Sequence, residues 1–328
     1  MSKETLESLK KQYAVDQKGM DTALQQYVAF ETVDKVPAKN PIAIIVGGQS
    51  GAGKTALMNK YSTIVDGAQI DNDGIRPLHP QVEEIKAKHP EYYTELTDQI
   101  SLGLTPHVIS YLSGDNPDGV KHNLVIHQTM KNTNIANYAM KELKDKGYTV
   151  GIAVLAVSYA ESKMSQIERC HAQYKTFGSC RHVPPHSHMD AIRGLPPTVG
   201  YIEEQGLADF IYIHTRNNEN IADPILQYSY INPNSKESVV SVLKENPGLC
   251  CEENFNNFEN AQDAVVKLRE MDTEKCMQTL DNRIEAIVKD GGYEVPGMEP
   301  HLDEIIKYST EYKEANLTNT PTSSQTEE

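Results

Sequence analysis

Apolar positions along the chain fall into short continuous runs separated by stretches with helical spacing. Residues 42–46, 68–71, 121–127, 148–157 and 209–214 read as strands. Several of these runs are apolar at nearly every position, the habit of strands covered on both faces in a parallel sheet. Helical spacing follows in 55–61, 91–112 with interruptions near Gly103 and Pro106, 134–146, 162–174, and 189–204 apart from Pro196 and Pro197. Five strands with helices between them predict an α/β fold with a mainly parallel five-stranded sheet and right-handed crossovers.

The two ends differ from this middle. Leu6, Leu9 and Tyr13, then Met20, Leu24, Tyr27 and Val28, fit two short amphipathic helices that stop before Pro37 and Pro41 and cover one side of the sheet. Beyond residue 232 no strand is expected, and three helical stretches follow at 236–244, 258–289 and 300–313. Ala261, Ala264, Val265, Leu268, Leu280, Ile284 and Ile287 form a stripe suited to packing. The expected organisation is helices at 1–40 packed on a core at 41–232, an all-helical extension at 233–315, and a polar, disordered tail at 316–328.

The first strand runs into Gly48, Gln49, Ser50, Gly51, Ala52, Gly53, Lys54 and Thr55, which satisfies the G-x-x-x-x-G-K-[ST] pattern in its required strand–loop–helix setting. Glycines let the backbone turn its N–H groups around phosphates, the next helix brings its positive end, Lys54 bridges phosphates, and Thr55 is placed to ligate Mg²⁺. Lys54 is expected to lie outside the buried core. The second strand ends in Asp71, Asn72, Asp73, Gly74, Ile75 and Arg76. Ligands gather at the carboxyl ends of strands in open α/β sheets, so this acidic segment belongs near the phosphates. One aspartate there suits Mg²⁺ or a hydroxyl proton, and the other suits a helix N-cap.

Charge and cysteine usage narrow the classes further. The 328 residues carry a formal net charge of −15, which argues against a nucleic-acid backbone as the principal ligand. No span reaches membrane length and the N-terminus lacks a secretion signal, so a cytoplasmic protein is expected. The five cysteines, with no C-x-x-C pair, read as free thiols. Cys180, His182, His186 and His188 crowd one loop, but without a second cluster at zinc spacing they read as exposed or substrate-contacting groups.

Several separated motifs then agree with one family. These are the phosphate loop, Ile70, Asp71, Asn72 and Asp73 with His79 and Pro80 behind them, Asn123 to Ile126 ending in Thr129, Arg169 and Arg181 twelve apart, and His188. Over about residues 40–216 the chain resembles the zeta toxin family of P-loop kinases. The resemblance implies a P-loop kinase fold and transfer of phosphate from ATP, with Mg²⁺, to a sugar hydroxyl of UDP-N-acetylglucosamine, blocked by an antitoxin protein. Carried over by position, Lys54 and Thr55 bind phosphate and Mg²⁺, Asp73 is the base, and Arg169 and Arg181 stabilise the transferring phosphoryl group. Asp71, Arg76, His127, Gln128, Thr129 and His188 line the acceptor side.

Where that family carries a Glu-Gly-Thr triplet this chain has His127, Gln128 and Thr129, and Pro106 stands where another substrate-binding glutamate would align. The expected function is therefore an ATP- and Mg²⁺-dependent kinase acting on a nucleotide or nucleotide-sugar hydroxyl other than the amino sugar. Alternatives are the amino-sugar kinase itself and a non-catalytic nucleotide-binding regulator. A GTPase-like switch is a third, disfavoured by the lack of an N-K-x-D motif. Deleting residues 316–328 is expected to change neither melting temperature nor phosphoryl transfer, since a polar tail buries almost nothing. A melting-temperature shift of several degrees would show that the tail docks.

Overall fold

A computed structural model describes residues 3–217, 219–220, 222–249 and 258–317. The elements run α1 (Lys3–Gln12), α2 (Gln17–Thr32), β1 (Ile42–Gly47), α3 (Lys54–Val65), β2 (Ala68–Ile70), α4 (Asn72–Ile75), α5 (Val82–Lys88), α6 (Tyr93–Leu112) and β3 (Leu124–Gln128). They continue through α7 (Lys141–Asp145), β4 (Thr149–Leu155), α8 (Tyr159–Phe177), α9 (Pro185–Glu204), β5 (Phe210–Thr215) and β6 (Ile225–Ile231). The last four are α10 (Lys236–Glu245), α11 (Ala261–Met277), α12 (Leu280–Lys289) and α13 (Glu299–Leu317). No helix among the described residues is long and apolar enough to cross a membrane.

The five expected strands all form, in the order β2-β3-β1-β4-β5, and are parallel. A sixth, β6, joins β5 antiparallel at the edge. Its signal is present in the sequence, because Leu226, Tyr228 and Tyr230 alternate with Gln227 and Ser229, as befits a strand paired on one side only. The interruptions expected in two helices do not occur: α6 runs through Pro106, and α9 through Pro196 and Pro197. Pro106 cannot donate to the carbonyl of Leu102, and Leu102 lies on the exposed side of α6 at 56% accessibility, where the loss is cheapest. The expected helix at 258–289 is two, α11 and α12. Residues 318–328, where most of the expected disordered tail falls, lie outside the described residues.

Two compact units divide the chain. One takes the residues up to Val157 together with Pro184–Leu268; the other takes Ser158–Val183 and the described residues from Arg269 onward. In the first, side-chain alternation on β1 explains the layering. Ala43 and Ile45 face a cluster with Ile126, Ile152 and Ile211, covered by Ala23 and Tyr27 of α2, Ile100 and Leu104 of α6, and Leu195 and Val199 of α9. Ile42, Ile44 and Val46 face the other way, onto Leu57, Met58 and Tyr61 of α3 and Val239 and Val242 of α10. The stripe on α11 serves this unit through Ala261, Ala264, Val265 and Leu268.

The second unit has its own core, in which Ala160, Met164 and Ile167 of α8 pack with Leu280, Ile284, Met298, Leu302 and Ile305. Ser158 caps α8 by accepting from the Glu161 N–H, and Gly178 ends it in the left-handed region at φ 70°. The chain then folds back, which joins Cys170 to Cys180 in a disulfide with Cα atoms 5.0 Å apart. That corrects the expectation of free thiols for these two, whose pairing a spacing of ten does not reveal. Cys276 is free and buried, and Cys250 and Cys251 lie outside the described residues.

Gly151 of β4 leaves room for Phe210 on β5, since a Cβ there would lie 2.1 Å from its ring. Gly151→Ala should therefore lower stability by about 1–3 kcal/mol, as overpacking does, read as a lower urea midpoint at unchanged slope. An unchanged midpoint would mean that the Phe210 ring turns aside freely.

Candidate active site

The phosphate-loop pattern forms at the carboxyl end of β1, between β3 and β4. Gly51 and Gly53 adopt φ of 82° and 96°, conformations that side-chain-bearing residues avoid, and Gly53 caps α3. Lys54 opens that helix, and its ammonium donates to the carbonyl of Gln49 at 2.9 Å. Gln49 is fully buried and its amide donates to the carbonyl of Val157 at 2.5 Å. Lys54 is itself only 6% exposed, contrary to the expectation that it lies outside the core. The loop curls back over it, so its charge is held against the Gln49 carbonyl and largely away from solvent. Thr55 is exposed in the first turn of α3, with Ser50 half-buried and Ala52 buried.

The acidic segment leaves β2 at the same sheet edge. Ile70 pairs with Ile126 on β3, and Ile126 pairs with Ile45 on β1, so the segment and the loop start about two strand spacings, roughly 10 Å, apart. Asp71 caps α4 by accepting from the Asp73 N–H at 3.1 Å, and the same carboxylate oxygen lies 2.8 Å from His127 Nδ1. Burial alone would raise the Asp71 carboxyl, but the hydrogen bond and charge of His127 outweigh it and hold the group below its ordinary range. Tyr27 braces this point, donating to the Gln69 carbonyl and accepting from the Asp71 N–H. From α6, Ser101 and Thr105 donate to the backbone and side-chain oxygens of Asn72.

Asp73 is exposed and accepts from Arg76 Nε at 3.0 Å. Arg76 is buried, and its other nitrogens reach Asp98 at 2.8 Å, the Thr94 carbonyl at 2.8 Å and Thr97 at 3.0 Å. Arg76 thus bridges Asp73 to α6. Pro106 directly follows Thr105 on α6, the residue that holds Asn72.

His127 and Gln128 are half-buried at the end of β3, beside Val46 and Gly47 in register, and Thr129 follows. Met130 comes next with a left-handed φ of 51°, rare for a residue of its bulk, and only 2% exposed. Its sulfur lies 2.2 Å from where a Cβ at Gly47 would stand, so the glycine that starts the loop and the turn after β3 fit only together.

His188 is buried in α9 at 2% accessibility, so a substrate could reach it only through neighbouring groups. Arg169 lies in α8 and Arg181 in the loop after it, both in the second unit. Among the described residues, the histidine-rich loop yields one metal-like group, Cys170, Cys180 and His182; His186 and His188 are not part of it. One residue escaped the sequence reading. Arg216, just past β5, donates from Nη2 to the Gly51 carbonyl at 2.5 Å. Its position as the first cation beyond a strand's carboxyl end was the available signal.

Comparison with known proteins agrees with this geometry. The sequence model of the family described as Zeta toxin matches residues 28–223. The toxin PezT of Streptococcus pneumoniae is 28% identical over 204 residues, covering 61% of this chain and 79% of that protein. A toxin zeta of Streptococcus agalactiae is 27% identical over 203 residues, covering 61% and 69%. A solved chain from a study of the PezAT chromosomal toxin-antitoxin system of Streptococcus pneumoniae superposes with a TM-score of 0.57 at 22% identity. It covers 81% of this chain and 98% of that one, a likeness of fold.

The Asp71–His127 pair makes a direct prediction. Its depressed carboxyl contributes stability that is present above the unfolded carboxylate pKa and lost as pH falls through the folded value. His127→Ala removes the partner and leaves much of the burial, so the Asp71 carboxyl should move upward in a ¹³C-detected NMR titration. A carboxyl that stays where it is would show that the pair does not form in solution.

Proposed function

Because the chain belongs to the zeta toxin family of kinase-like proteins, we propose that it transfers the γ-phosphate of ATP to a hydroxyl of a nucleotide-like small molecule. The observation that carries this reading is the acidic segment braced at the same sheet edge as the phosphate loop, one strand removed from it. The donor set fits the nucleotide. It comprises a glycine-turned loop at a helix N-terminus, a lysine held inside that loop, and the exposed Thr55 hydroxyl. Thr55, with an aspartate from 71–73, would hold Mg²⁺, which supplies charge neutralisation between the phosphates when bound.

Asp73 accepts the hydroxyl proton in this reading, since its side chain is accessible and Arg76 fixes its direction. Asp71 is already committed to His127 and to the α4 cap, which suits it to a supporting role. Lys54, Arg169 and Arg181 meet negative charge on the transferring phosphoryl group; arginine forks suit its equatorial oxygens. Arg216 steadies the loop through Gly51.

His127, Gln128 and Thr129 face the acceptor in this reading. With Nδ1 turned to Asp71, His127 presents Nε2 on the opposite edge of its ring, a group suited to a phosphate, carboxamide or base edge. Arg76 and His188 support the acceptor side from within the fold. An antitoxin-like protein that covers the nucleotide site is the partner this reading implies, and the cytoplasm is its setting.

The decisive experiment incubates the protein with ATP, Mg²⁺ and either UDP-N-acetylglucosamine or a panel of nucleotides and dinucleotides, with products read by mass spectrometry. Transfer to a panel member is expected, with the amino-sugar nucleotide slower by ~10⁴-fold, the scale on which a mismatched polar pocket discriminates. Asp73→Asn should slow transfer by about 10²–10⁴-fold while ATP binding survives. Efficient turnover of UDP-N-acetylglucosamine alone would overturn the acceptor reading, and an asparagine variant as fast as the parent would move the base elsewhere.

A further inference from the structure

The two cysteines joined in the second unit stand next in sequence to the two arginines assigned to the phosphoryl group: Arg169 precedes Cys170, and Arg181 follows Cys180. Cys170 is buried on α8, and Cys180 is half-buried on the loop that returns along that helix. Between them the chain turns at Gly178, so the bond adds a covalent tie to the non-covalent contacts that place 179–183. One such contact is His182, whose Nε2 lies 2.8 Å from the Pro296 carbonyl and whose ring stacks on His301 at 5.1 Å between centroids.

We propose that Cys170 and Cys180 form a reversible thiol–disulfide modification site whose oxidised state fixes Arg169 and Arg181 relative to each other for phosphoryl transfer. The inference rests on the kinase reading for the role of the arginines, but not for the chemistry of the sulfurs. The co-reactant is a low-molecular-weight disulfide of the glutathione type. Cys180, the more accessible sulfur, attacks one sulfur of that disulfide and releases one small thiol. Cys170 then attacks the mixed disulfide at Cys180 and releases the second. Two protein thiols are oxidised, one small disulfide is reduced to two thiols, and the two protein protons end on them.

The surroundings suit this chemistry. His182 Nδ1 lies 3.8 Å from the Cys170 sulfur, within reach of a proton leaving that thiol, while its Nε2, which donates to the Pro296 carbonyl, lies 3.6 Å from the Cys180 sulfur. Cys276 offers a contrast in the same unit. Burial, reinforced by Glu161, pushes its thiol up to about 12, which keeps it protonated and inert. In a reducing compartment such a bond is a sensor and not a permanent staple, because glutathione and thioredoxin reopen it.

The test poises the full chain in buffers of reduced and oxidised glutathione, counts thiols by alkylation and mass spectrometry, and measures two things. One is the transfer rate on the best acceptor of the panel; the other is tryptic cleavage after Arg181, which needs no activity. Reduction should slow transfer about tenfold, part of the ~10²–10³ lost when a transition-state donor is removed outright. It should also speed cleavage after Arg181. The double variant Cys170→Ser, Cys180→Ser should behave as the reduced protein at every poise.

Equal rates of transfer and of cleavage in both thiol states would overturn the proposal, as would a double variant as fast as the oxidised parent. Reduced protein that binds Zn²⁺ tightly and withholds both thiols from alkylation would replace it with a Cys170, Cys180 and His182 metal site. Arg181→Ala in the oxidised state separates the two levels of the argument. If that variant transfers phosphate at the parental rate, the role of the arginine falls, while the cleavage assay still decides the redox site.

Discussion

Two hydrogen bonds in series hold the phosphate loop in shape: the Lys54 ammonium on the Gln49 carbonyl, and the buried Gln49 amide on the carbonyl of Val157. They tie the loop after β1 to the chain leaving β4, the neighbouring strand. A glycine-rich turn is otherwise expensive to order, because glycine loses more conformational freedom than any other residue. With the turn anchored from inside, binding energy from a nucleotide is not consumed in shaping the loop, the advantage of preorganised donors.

The same logic extends to the acidic segment. α4 is a single turn, too short to be stable alone, yet Tyr27 from α2 and Ser101 and Thr105 from α6 grip its backbone and the Asn72 amide. The N-terminal helices therefore do more than shield apolar surface, since α2 supplies the phenol that fixes the exit of β2. Arg76 carries the connection onward to Asp98. A buried guanidinium is costly unless its donors are met, and here four of its five N–H groups find two carboxylates, a carbonyl and a hydroxyl. Asp73 is accessible, but its direction is set by Arg76.

The second unit obeys a different economy. Its helices are held by the apolar cluster around Met164, Leu280 and Leu302 and by Arg283, which reaches Glu161 and Glu168 with both edges of its guanidinium. Lys163, nearly inaccessible, is met by Glu304 and His301. Burial, with the Lys163 charge beside it, pushes His301 down to about 4 and keeps it neutral at physiological pH. Removing one partner from such a set leaves a buried charge uncompensated, which destabilises far more than the intact set adds over well-packed apolar groups.

Local chemistry was sufficient for much of this. Runs of β-branched residues dictated the five parallel strands, and the spacing of glycines with Lys54 and Thr55 dictated a phosphate loop, because both depend on backbone preferences within a few residues. Even β6 was legible in the alternation of Leu226, Tyr228 and Tyr230. Other features needed the fold. Pro106 sits inside a helix because Leu102 faces outward, and Lys54 is buried because the loop closes over it. Asp71 meets His127, and Cys170 meets Cys180, only through turns that bring distant or opposed positions together. The apolar stripe that starts on α11 divides between the units, since Ala261, Ala264, Val265 and Leu268 pack in the first while Leu280 and Ile284 of α12 pack in the second with α8, more than a hundred residues earlier. Periodicity reports that a face must be covered, whereas what covers it depends on contacts remote in sequence, which tertiary packing alone decides.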